Sequence, residues 1–307
     1  MHEAPVMLCA GEALTDMIHQ GNEQWISQVG GSVWNVARAL AALGERTAFA
    51  GAISNDRFGE ALWNASAAVG LDLRLIQRVQ HSPLLAIVEQ GEPPSYFFVG
   101  DDSADLHFDP ATLPAGWSGA LRWAHFGGIS LARQPLAATL VALAQQLKAQ
   151  GVAISYDPNF RNLMDASYQP TLRTMAALAD LIKVSDDDLR GLFPDMTLDQ
   201  ALQQLRAANP AAYCLLTRGG QGATLFHGSA RADARAPKVE VVDTVGAGDA
   251  SVAGLLHSLA GYPQRGLQAH LHAALAAGSA ACLQAGAHPP QAAAMKQFFE
   301  QLQGDSK

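Results

Sequence analysis

The sequence predicts an α/β fold: a mostly parallel sheet flanked by helices on both faces, with a small β-sheet lid beside it. Three observations predict it. Short apolar runs recur between helical patterns, one intervening helix carries a clear apolar face, and two stretches break the alternation with strand-like character.

The runs are VMLCA at 6–10, TAFAGAI at 47–53, LRWAHF at 121–126, VAISYD at 152–157, LIKV at 181–184 and AYCLLT at 212–217. Each is short enough for a buried strand, and their alternation with helices favours parallel pairing. Leu136, Leu140, Leu143 and Leu147 fall on one helical face, and Gly151 follows as a stop. The two exceptions are 12–29, EALTDMIHQGNEQWISQV, and 84–99, which reads as a hairpin around Gly91 and Pro93. Both are read as lid strands, with extension of the main sheet as the alternative. Residues 264–297, rich in Ala and Gln, read as closely packed helices.

The 307 residues suit one large α/β domain, and 49% hydrophobic content is ample for its core. A net charge of −8, with no run of basic residues, argues against a nucleic-acid partner. Cys9, Cys214 and Cys282 stand far apart in apolar settings and read as buried, reduced thiols. The start MHEAPVML has no charged n-region, and no apolar run reaches 18 residues, so a cytoplasmic protein without membrane contact is expected. His270 and His272 are two apart on a helix and face different ways, which disfavours a metal pair.

The sharpest feature is DTVGAGDASVAGLL at 243–256, a Gly-rich turn opening a helix whose Val252, Leu255, Leu256 and Leu259 share a face. Gly246 and Gly248 allow successive backbone N–H groups, helped by the helix N-terminus, to converge on an anion. A carboxylate there would repel a bound phosphate, so Asp249 is explained either as a general base or as a helix cap. The dinucleotide fingerprint fails: Ser251 replaces its third glycine, and no acid follows until Glu300. The P-loop and protein-kinase motifs are absent.

These residues resemble the C-terminal signature of the ribokinase-like (PfkB) carbohydrate kinases, and GGSVWNVARALAALG at 30–44 resembles the N-terminal one. The likeness runs from LCAGEALTD at 8–16 to Gly286-Ala287, and is greatest to fructokinase and 2-keto-3-deoxygluconate kinase members. It implies a single ribokinase-like domain over 1–307, with lid segments inserted at about 12–29 and 84–99. It also implies ATP-dependent transfer of a phosphoryl group to a monosaccharide hydroxyl. Fructose is the leading substrate, a sugar acid the first alternative, and a non-catalytic sugar- or nucleotide-binding regulator on the same fold the second.

Carried onto this chain, the resemblance makes Asp249 the base and Gly246, Ala247 and Gly248 the anion hole. It makes Asp16, Gly30, Gly31, Asn35, Phe98, Asn159 and Arg161 sugar contacts. YDPNFRN at 156–162 supplies the last two, and Arg161 could meet a phosphate or a sugar carboxylate. Read without the resemblance, Asn35 starts a helix, Asp16 is a solvated loop acid and Arg161 a surface ion pair.

For the nucleotide, the resemblance points to Ser185, Thr217, Gly219, Gly222 and Gly248. In KVSDDDL at 183–189, Ser185 and Asp188 stand where the family has Asn and Glu. Asp188 is thus a magnesium residue acting through water, or simply an acid at a helix start. The resemblance further makes helix 271–285 and Gly286 candidates for the adenine pocket, and it allows a monovalent cation such as K⁺ near Asp243. Ser54 also departs from the signature's usual Gly. Trp34 either narrows the sugar pocket or packs in the core. Tyr96, Phe97 and Phe98 alternate faces, so the lid would cover the sugar on one side and meet a second copy in a homodimer on the other.

Overall fold

The computed structural model describes residues 4–89 and 95–304. Nine strands form the main sheet: β1 (Met7–Ala10), β4 (Thr47–Ser54), β5 (Ile76–Val79), β8 (Trp123–Gly127), β9 (Ala153–Asp157), β10 (Leu181–Ser185), β11 (Tyr213–Thr217), β12 (Ala223–His227) and β13 (Ala230–Ala234). Their order is β13-β12-β11-β10-β9-β8-β1-β4-β5. Every pair from β11 to β5 is parallel, whereas β12 and β13 add antiparallel at one edge. The six strands expected from apolar runs are all present; the edge strands β5 and β13 were not singled out, because they alternate polar and apolar residues.

Alternation along β1 divides the core. Met7 and Cys9 face one apolar layer, packed on α1 (Ser32–Ala42), α7 (Ala247–Gly261) and α8 (Leu267–Ala281). Leu8 and Ala10 face the other, packed on α3 (Leu136–Ala149) and α4 (Gln169–Leu178). Leu136, Leu140, Leu143 and Leu147 are all buried in that second layer, and Gly151 follows the helix at φ 85°. The remaining helices are α2 (Arg57–Ala68), α5 (Asp186–Leu192), α6 (Leu198–Ala207) and α9 (Ala292–Gly304). The three cysteines are free and buried.

The two irregular stretches form a sheet of their own, not an extension of the main one. Its strands are β2 (Leu14–His19), β3 (Trp25–Gly30), β6 (Leu85–Glu89) and β7 (Ser95–Val99), in the order β3-β2-β6-β7. β2 pairs antiparallel with β3 and parallel with β6, and β6 pairs antiparallel with β7. The expected turn at Gly91 and Pro93 lies outside the described residues. Trp34 is fully buried and donates its indole N–H to Ser66 Oγ at 2.9 Å, so it packs in the core.

Candidate active site

A cavity of about 660 Å³ opens between the lid and the C-terminal ends of the main-sheet strands. That edge is where parallel α/β sheets commonly place ligands, since the strand-to-helix loops converge there. Asp16, Ile18, Ala86, Val88, Tyr96 and Phe98 contribute the lid wall. Gly31, Asn35, Asn159, Arg161, Gly246, Gly248 and Asp249 line the opposite side.

Gly246 caps α7 in the left-handed region, at φ 80°. A Cβ there would also approach Ala287 Cα at 3.1 Å, so both conformation and space require glycine. The helix turned by this cap carries Asp249 in its first turn, with only 9% exposure. Ser32 Oγ donates to Asp249 Oδ1 at 2.8 Å, and Asn35 Nδ2 donates to Oδ2 at 2.9 Å. Both donors sit in the first turn of α1, which is capped by Gly31 at φ 111°. Burial pushes the Asp249 pKa up, against those two hydrogen bonds and the charges of Lys183 and Arg161. A carboxylate so desolvated is more basic than a surface one, which suits it to take a hydroxyl proton.

Asn35 retains a second group for a ligand. Its Oδ1 is buried without a hydrogen-bond partner, as an acceptor reserved for a hydroxyl would be. Asp16 approaches from β2, where burial lifts its pKa to about 6 against the pull of Arg161, with Asp249 adding to the rise. Gly30 does not line the cavity; a Cβ there would collide with Asp16 Oδ2, so its role is to clear room for that carboxylate. Arg161 is pinned by hydrogen bonds from Nη1 to Asn159 Oδ1 at 2.9 Å and Phe160 O at 2.7 Å. Asn159 holds its own left-handed turn, φ 45°, with its N–H on Asp157 Oδ1.

Lys183, Ser32 and Glu12 were not expected at the site. Lys183 is an ammonium inside the LIKV strand, 5% exposed, 3.0 Å from Asp157 and 3.6 Å from Asp188. A Cβ at Gly248 would lie 3.3 Å from its Nζ, so the charge sits directly beneath the Gly-rich turn. Burial opposes that charge, but the two carboxylates outweigh it and hold the pKa above the ordinary lysine value. The signal available in the sequence was a lysine placed in the middle of an otherwise apolar strand.

The nucleotide candidates lie to one side. Ser185, Asp188, Thr217, Gly219, Gly222 and Ala247 are outside the cavity lining. Ser185 and Asp188 form a reciprocal capping box on α5, and Ser185 pairs with Thr217 at the ends of β10 and β11. Asp188 Oδ1 accepts from Phe160 N and Oδ2 from Ser185 N, so its oxygens are engaged by the fold itself. Its neighbour Asp187 lines the cavity with a side chain 88% exposed. Of the two acids, Asp187, whose Oδ1 accepts from Arg190 Nη1 at 2.6 Å, is the carboxylate accessible to a hard divalent cation brought by a nucleotide.

A buried, hydrogen-bonded carboxylate beside a glycine-built helix N-terminus, with an ammonium beneath it and a lid over the cavity, defines a small-molecule kinase site. The pfkB family carbohydrate kinase model matches residues 8–294, and the chain belongs to that family. A fructokinase of Rhizobium leguminosarum bv. trifolii is 34% identical over 265 residues, covering 83% of this chain and 79% of its own. Among solved structures, Xylella fastidiosa fructokinase with bound ATP superposes with a TM-score of 0.87 at 26% identity, covering 98% of this chain and 99% of its own. Vibrio cholerae O395 fructokinase, bound to fructose, ADP and calcium, gives 0.83 at 29% identity over 95% and 98% of the two chains.

Proposed function

We propose that this chain is an ATP-dependent fructokinase in which Asp249 takes the proton of a fructose hydroxyl as that oxygen attacks the γ-phosphorus of ATP, the bond to the β,γ-bridging oxygen breaks and ADP leaves. The observation that carries the reading is the fixed Asp249 carboxylate, gripped by Ser32 and Asn35 at the mouth of the Gly246–Gly248 turn. The backbone N–H groups of that turn and the Lys183 ammonium stabilise the negative charge on the transferred group. Magnesium, when bound with the nucleotide, neutralises phosphate charge. Ser185, Thr217, Gly219 and Gly222 border the nucleotide, and Asp243, which joins Val245 N to Gly286 N, stands beside a monovalent-cation site.

A neutral sugar fits better than a sugar acid. Arg161 is the cationic side chain facing the sugar end, and Asp16 already opposes its charge. Asp16, Asn35 and Asp249 otherwise offer acceptors, which suit hydroxyl donors. The relatives named fructokinase point the same way. ADP release with ATP, Mg²⁺ and a panel of fructose, 2-keto-3-deoxygluconate, ribose, glucose, mannose and adenosine tests this reading. Turnover confined to fructose is expected; a preference for 2-keto-3-deoxygluconate would overturn it, and silence on every sugar would favour a non-catalytic binding protein.

The outer lid face exposes Trp25 at 43%, Phe97 at 52% and Val99 at 49%, opposite the cavity-lining Tyr96 and Phe98. This face supports a homodimer through the lid. Phe97→Glu should then yield a monomer in sedimentation, and an unchanged species would exclude this face. Reduced, buried cysteines and the use of ATP fit a cytoplasmic enzyme.

A further inference from the structure

A second group of reactive side chains lies outside the cavity. His107 Nε2 is 2.7 Å from Asp102 Oδ1, and His81 Nδ1 is 3.3 Å from Asp102 Oδ2. The two imidazoles stack, with centroids 3.4 Å apart and planes inclined by 16°. One donor atom from each of the three residues lies within 4.8 Å of the others. Two imidazole nitrogens and a carboxylate oxygen form a donor set for zinc, whose bonds of about 2.0–2.2 Å place tetrahedral donors roughly 3.3 Å apart. Side-chain exposures of 33%, 76% and 36% leave the fourth position to water. Magnesium and calcium, which prefer oxygen donors, suit it poorly.

The position of the cluster gives it a consequence for the lid. His81 lies on the segment that enters the lid between β5 and β6, and Asp102 follows β7 on the segment that leaves it. The two segments touch through a Ser82–Ser103 bridge and a hydrogen bond from Ala104 N to Ser82 O at 2.8 Å. His107 ends the short 3-10 turn Ala104–His107 that anchors the exit. We propose that His81, Asp102 and His107 bind a zinc-class divalent ion, and that the ion ties together the two segments at the root of the lid. This site is independent of the phosphoryl-transfer reading.

Titration of Zn²⁺ alone into the nucleotide-free chain tests the proposal. One equivalent is expected in the wild type, lost or weakened at least about tenfold in His81→Ala, in His107→Ala and in Asp102→Asn. All three variants should keep their zinc-free turnover with ATP and Mg²⁺, since none of these residues lines the cavity. Hydrogen exchange of 85–89 and 95–99 should slow with zinc in the wild type and not in His107→Ala. Absence of the one-equivalent step, or its survival in all three variants, would overturn the site. Zinc binding with unchanged lid exchange would overturn the tie.

Discussion

Asn35 Nδ2 donates to Asp249 Oδ2 at 2.9 Å, although 214 positions separate the two residues in the chain. The bond joins the first turns of α1 and α7, so the two family signatures meet at one carboxylate. Asn35→Asp would replace a donor with a like charge and raise the Asp249 pKa further. The base would then stay protonated to higher pH. The acidic limb of the kcat/KM profile should move to higher pH, with a loss of roughly 10²-fold at neutral pH. An unshifted limb would show that Asn35 does not set the base.

Glu12 gives the fold a pH dependence opposite to that of an ion-paired acid. It is 1% exposed, and burial raises its pKa to about 7 against hydrogen bonds from Ser130. Between its ordinary value of 4.5 and about 7, the unfolded chain releases the proton while the folded chain keeps it. Stability from this group is therefore present at low pH and declines as pH rises through that window, by about 3 kcal/mol in all. Glu12→Gln removes the titration. Urea unfolding should show the variant gaining on the wild type from pH 4.5 to 8, whereas a constant difference would contradict the assignment.

Lys183 holds two buried carboxylates, and removing it leaves both without a counter-charge. Lys183→Met should destabilise the chain by about 3–5 kcal/mol. Adding Asp157→Asn should recover part of that loss, since one uncompensated charge disappears. Thermal unfolding of the single and double variants measures this. Equal melting temperatures for Lys183→Met and wild type would refute the buried network.

Much of this was legible in the sequence because it is local. Six main-sheet strands announce themselves as apolar runs, and Asp249 stands in a glycine-rich turn that opens a helix. Two-sided burial explains the continuity of those runs, and the same logic hides the antiparallel edge strand Ala230–Ala234, which reads ARADA. Ser32 was invisible as a partner of Asp249 because a serine at a helix start needs no distant explanation. Lys183 was passed over for want of its counter-charges, Asp157 and Asp188, which only the sheet brings together. Asp188 shows the converse: its motif position points to metal, while its oxygens satisfy backbone N–H groups of Ser185 and Phe160.

The central claim is that Asp249 is the base, and single-turnover phosphoryl transfer by Asp249→Asn tests it most directly. The amide keeps the shape and can still bond Ser32 and Asn35 but accepts no proton. A fall in kcat of roughly 10²- to 10⁴-fold, with fructose still bound, is the result predicted. Transfer at the wild-type rate would contradict the account.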